Sequence, residues 1–83
     1  MPGPEYPLRR RVEMLIAEGK LPRAVAIHTV SGVGTRRRCA LCDDLTVAPD
    51  LEVEVYVEPL PLHPYVFHRP CYLLWSAERL RPR

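Results

Sequence analysis

The sequence predicts a small α+β domain. An N-terminal amphipathic helix precedes a cysteine turn, a β-hairpin and a C-terminal helix. Three observations predict it. Apolar residues recur at helical spacing between Leu8 and Glu18. The run "LEVEVYVE", residues 51 to 58, alternates strictly. Two x2-spaced pairs of sulfur and imidazole side chains, "CALC" at 39 to 42 and "HRPC" at 68 to 71, flank that alternating run. The chain has 83 residues, enough for one domain and one core. A core of that size is marginal by itself, so a staple of disulfides, metal or a partner subunit is expected.

Taken in order, residues 1 to 7 hold three prolines and a glycine and read as a flexible lead-in. From residue 8 to 18, Leu8, Val12, Leu15 and Ile16 fall on one helical face and leave the arginines outward. Gly19 suits a C-cap, and Pro22 forbids continuation. "AVAIHTV", residues 24 to 30, is rich in β-branched side chains and reads as a strand, with His28 as a half-buried strand residue. "SGVG", 31 to 34, reads as a turn; it lacks the lysine and following helix of a phosphate loop. Along 51 to 58, Leu51, Val53, Val55 and Val57 share the face expected to be buried. Glu52, Glu54, Tyr56 and Glu58 share the face expected to be wet. "PLPLHP", 59 to 64, interrupts with three prolines, and "YVFH", 65 to 68, returns as a short strand. "CYLLWSAERL", 71 to 80, reads as a helix with Pro70 in its first turn and Leu74, Trp75 and Leu80 toward the sheet.

Cys39, Cys42 and Cys71 are the only cysteines. Three cannot all pair within one molecule, which speaks against a disulfide framework. "MPGPEYPLRRR" has no apolar run behind its basic residues, so no signal peptide is read there, and no stretch approaches a membrane span. A cytoplasmic, reducing location is therefore expected, where such cysteines serve metals or redox chemistry. A redox pair opens a helix, whereas "CALCDDLTVAPD" has no helical period and soon meets Pro49. Cysteines that merely fill a core are the remaining alternative.

Four thiolate and imidazole donors suit tetrahedral zinc. Two ligands three apart reach one metal from a tight turn or from the start of a helix. The expected ligands are Cys39, Cys42, His68 and Cys71, holding one structural Zn2+ per chain. His63 rivals His68, but Pro64 follows it and its spacing to Cys71 is less regular. The order of knuckle, hairpin and helix over residues 36 to 80 resembles the treble-clef zinc finger. With "EGKLP" before it and "WSAER" after it, the chain also resembles small bacterial CxxC...HxxC zinc-binding proteins. Knuckles of that family often place glycine after the second cysteine; here the place is Asp43, which tolerates positive φ better than most residues.

Cys3His closes the coordination shell and leaves no position for substrate. A zinc deaminase would need H-x-E ahead of PCxxC, and here the histidine follows the CxxC pair. The expected function is thus non-enzymatic: a zinc-stabilised module that binds another macromolecule. Charge is strongly segregated, +5 over residues 1 to 38, −6 over 39 to 66 and +3 over 67 to 83. Arg9, Arg10, Arg11, Arg36, Arg37 and Arg38 form the candidate binding face. A protein partner or self-association fits complementary charge, and nucleic acid is the other candidate. No exposed aromatics interleave with these arginines, as single-strand binders require. The arginines could instead pair internally with the acidic strand or offset the thiolates. No small-molecule substrate is indicated. The alternative is a small enzyme using Glu52, Glu54, Tyr56 and His63 beside a structural zinc.

Overall fold

The computed structural model describes residues 6–24, 26–57 and 64–81. Helix α1 spans Tyr6–Ala17, starting two residues before the apolar periodicity begins. It buries Val12 and Ile16, with Leu8 and Leu15 packed alongside. Gly19 takes φ +78°, and the amides of Lys20 and Leu21 turn back onto the Leu15 carbonyl at 2.9 and 3.1 Å. This left-handed stop satisfies carbonyls that the last turn would otherwise leave open.

Strand β1 spans Ala26–Arg38, β2 spans Leu45–Val57 and β3 spans Tyr65–His68. They form one antiparallel sheet in the order β1-β2-β3. The expected turn at "SGVG" is overturned: residues 31 to 34 lie within β1, with Ser31, Gly32 and Val33 paired to Val53, Glu52 and Leu51 of β2 and the register shifting at Gly34 before Thr35 pairs with Val47. Gly34 is needed where β1 meets the start of β2. A Cβ there would lie 2.6 Å from the Thr46 carbonyl carbon and the Val47 nitrogen. The glycines allow close approach of two backbones rather than reversal of one, a distinction that local composition does not carry. β2 likewise begins six residues before the alternating run. β3 pairs with β2 in the expected hairpin, Glu52 opposite His68 and Val55 opposite Tyr65.

Helix α2 spans Arg69–Arg79 and packs on β2 and β3, while α1 packs on α2. Trp75, fully buried, is the centre of this core. Its ring stacks on Phe67 at 5.4 Å and lies 6.1 Å from Tyr72, and its Nε1–H donates to the Pro22 carbonyl at 2.9 Å. Leu80 departs from expectation; it is 67% exposed, because it lies past the last residue of α2.

The two faces of β2 also depart from the simple alternation. Val53, Val55 and Val57 are buried as expected, but Leu51 is 42% exposed, on the rim of an open cleft at the start of α2. Glu52, expected in water, is only 4% exposed. Burial is tolerable because its carboxylate is fully partnered. It accepts hydrogen bonds from the Thr35 backbone N–H (2.9 Å), the Thr35 hydroxyl (2.9 Å) and the Thr46 hydroxyl (2.8 Å), and it pairs with the Arg37 guanidinium. His28 is exposed rather than half-buried, with its ring 5.6 Å from Tyr56.

Candidate metal centre

β1 ends one residue before Cys39, and the chain reverses through Ala40, Leu41 and Cys42 before β2 begins. Backbone bonds fix the reversal: Asp43 N–H to the Cys39 carbonyl (3.0 Å) and Cys39 N–H to the Asp44 carbonyl (2.9 Å). Asp43 sits at φ +69°, the left-handed position expected for it. Leu41, fully buried, anchors the turn in the core, and its carbonyl accepts a bond from Arg11 of α1. The Ala40 N–H donates to the Val66 carbonyl at 2.7 Å, which ties the turn to β3. Two cysteines are thereby held against the strand that delivers the histidine.

His68 ends β3 and is the N-cap of α2, with extended backbone angles of −60° and 150°. Cys71 follows in the first helical turn, where residues three apart share a face. Pro70 fits this turn because it lacks the N–H that a helix start would leave unpaired. The positive end of the helix dipole adds favourable potential beside the sulfurs.

The structure brings all four expected ligands together. The Sγ atoms of Cys39, Cys42 and Cys71 and one imidazole nitrogen of His68 lie within 4.8 Å of one another. A tetrahedron with metal–sulfur bonds of about 2.3 Å has edges of about 3.8 Å, so these donors fit around one ion. His68 Nδ1 lies 3.2 Å from Cys42 Sγ, while Nε2 lies 3.1 Å from the Leu45 carbonyl. A neutral ring then carries its proton on Nε2, donates it to Leu45, and leaves the Nδ1 lone pair for the metal. Cys39 Sγ accepts N–H bonds from Leu41 and His68, both at 3.4 Å. The thiols respond unequally. Cys39 is held well below the ordinary thiol range by the hydrogen bond from Cys71, aided by backbone amides of Cys42, His68 and Leu41. Cys71 is driven up, first by that same bond to Cys39 and then by burial. Burial pushes Cys42 up as well. Ligand thiols must be deprotonated to bind a metal, and three thiolates this close together need a positive ion among them.

The other sequence-stated candidates divide. Arg37 is not a free cation: it bonds Glu52 and lies 3.3 Å from Glu54. Arg38 donates to the Asp43 carbonyl at 2.8 Å and lies 3.8 Å from the Asp43 carboxylate at the surface. Arg9, Arg10 and Arg36 are exposed. Glu54 meets the Tyr56 hydroxyl at 3.3 Å. His63 lies outside the described residues, as does Glu58. Sequence reading missed Thr46, which is completely buried and holds Glu52. A threonine in a β-rich stretch gives no signal of such a role. An open cleft of about 450 Å³ beside His68 is lined by Pro49, Asp50, Leu51, Arg69 and Pro70.

Fold and site together define a small α+β chain with a Cys3His cluster able to hold a metal ion. Comparison with protein-family models, with curated proteins and with solved structures finds no match to this chain.

Proposed function

We propose that this chain is a non-enzymatic binding module of treble-clef type, stapled by one structural zinc and working through contact with another protein chain. The observation that carries it is the closed donor set: three sulfurs and one imidazole nitrogen converge, with the second imidazole nitrogen already engaged. Soft thiolates with one imidazole in a four-donor site favour zinc, and four protein ligands leave no position for a substrate. The three thiols also favour a reducing compartment such as the cytoplasm.

The groups named for catalysis support the same reading. Glu52 is committed to Thr35, Thr46 and Arg37, and neither it nor Glu54 lines the cleft beside His68. A protein partner is favoured over nucleic acid because the arginine-rich segment is interleaved with carboxylates. Arg37 is held between Glu52 and Glu54, and Arg38 lies beside Asp43. Phosphate reaching Arg37 or Arg38 would meet those acids as well.

Native mass spectrometry of freshly purified protein tests this reading. It is expected to show one zinc per chain and no nucleic acid. A titration with duplex and single-stranded DNA at about 50 mM salt, where electrostatic association is strongest, is expected to show no binding. Metal-free protein would remove the staple. Binding to DNA that weakens steeply with salt would replace the protein partner with nucleic acid.

A further inference from the structure

Among the described residues, the sheet has one covered edge and one open edge. β3 is capped by the cysteine turn through the Ala40–Val66 bond. Nothing described pairs with the outer edge of β1, and every residue from Ile27 to Val33 is exposed. Long open edges are usually blunted by lysine, proline or inward charge. Residues 26 to 35, "AIHTVSGVGT", contain none of these and no charged residue.

We propose that a second copy of this chain occupies that edge, β1 against β1 in antiparallel register about a two-fold axis at Val30. The partner named here deepens the protein-contact reading and rests on it. A two-fold axis normal to an antiparallel pair places one residue opposite itself. With Val30 there, Thr29 meets Ser31 of the second copy, His28 meets Gly32, and Ile27 meets Val33. The register is self-complementary. The exposed apolar residues Ile27, Val30 and Val33, at 48%, 43% and 56%, cover one another, and hydroxyl meets hydroxyl. The regular pairing of β1 with β2 runs unbroken from His28 to Val33, a stretch that contains Val30, with register shifts on either side, Ile27 lying in the first of them. Arg36, Arg37 and Arg38 lie beyond the paired stretch.

Gly32 is an independent observation. Its φ is not positive, and a Cβ on it would meet nothing within 4 Å. Within one chain, glycine in a strand interior is a cost without a return. In the dimer, His28 of the second copy lies directly across from Gly32, on the face where His28 packs on Tyr56. A bare glycine leaves room for that ring, an arrangement that stabilises edge glycines elsewhere. Because the far edge is capped, the assembly closes as a dimer and does not propagate. An edge contact buries less than about 1,200 Å², so association is reversible and concentration-dependent.

The test is made on the zinc-loaded full chain. Sedimentation equilibrium is expected to show monomer passing to dimer across the micromolar range, with no larger species. Val30→Lys sets like charges opposite each other and is expected to raise the dissociation constant about tenfold, with one zinc per chain retained. Directly opposite Cα atoms lie about 4.5–5.5 Å apart, within disulfide reach. A mixture of Thr29→Cys and Ser31→Cys chains is therefore expected to cross-link with oxidised glutathione much faster than either variant alone. The cross-link decides the register even where Val30→Lys disturbs folding. A zinc-loaded chain that stays monomeric, open polymers, or equal cross-linking of each variant with itself would overturn the dimer and leave the zinc-stapled module standing. Metal-free protein that still dimerises would sink the staple alone.

Discussion

At the residue scale, Glu52 shows how a polar side chain can be structural on the face that alternation assigns to water. Burial raises its pKa, but the Thr35 amide, Arg37 and the two threonine hydroxyls outweigh burial and hold it at about 2. A depressed carboxylate contributes stability above its unfolded pKa and loses it as pH falls through the folded value. The contribution is thus complete at neutral pH and is lost between about 4.5 and about 2. Arg37 is 39% exposed and solvent screens the pair, so the amount is on the order of 2 kcal/mol. The difference in unfolding free energy between wild type and Glu52→Gln should stay level from neutrality to about pH 5 and shrink below it. A difference already fading above pH 5 would contradict the assignment. The glycines make a second contrast. Gly34→Ala drives a Cβ into the β2 backbone and should cost about 2 kcal/mol or more in chemical unfolding, while Gly32→Ala, with open space at the Cβ, should raise monomer stability by about 0.5–1 kcal/mol.

At the scale of elements, the cysteine turn, β3 and the start of α2 meet at the Cys3His cluster. Apparent zinc-binding energies of roughly 10–16 kcal/mol equal or exceed the folding stability of a domain this small. Chelation, or Cys71→Ser, is therefore expected to abolish the near-ultraviolet signal of Trp75, whose ring is fixed by Phe67 and by the Pro22 carbonyl. Titration with zinc should restore it in the chelated wild type. Unchanged Trp75 signal and melting temperature after chelation would show that the core holds without the metal.

At the scale of the molecule, segregated charge is partly consumed within the chain. Arg37 joins the basic segment to the acidic strand, whereas Arg36 is exposed and Arg38 is 69% exposed. Arg37→Gln alone should account for most of the stability lost when residues 36 to 38 are all changed to glutamine. Arg36→Gln and Arg38→Gln should each lie within about 0.5 kcal/mol of wild type. Equal losses at all three positions in thermal unfolding would mean that the pairing with Glu52 and Glu54 contributes little.

Much of this protein was legible in one dimension. The convergence of Cys39, Cys42, His68 and Cys71, the Asp43 conformation, the buried valines of β2, the β2–β3 hairpin and the Pro70 helix start follow from spacing and local preference. Each depends on residues a few positions apart, whose chemistry is constrained before the chain folds. Other features depended on approach between distant segments. β1 extends through "SGVG" because β2 lies alongside and Gly34 admits its backbone. Glu52 is buried because Thr35, Arg37 and Thr46 converge on it from two strands. Leu80 stays in water because α2 ends before it, and Leu51 because it borders the open cleft at the start of α2. Periodicity records which side of an element a residue occupies. Only tertiary packing decides whether that side meets water, a partnered charge or another strand.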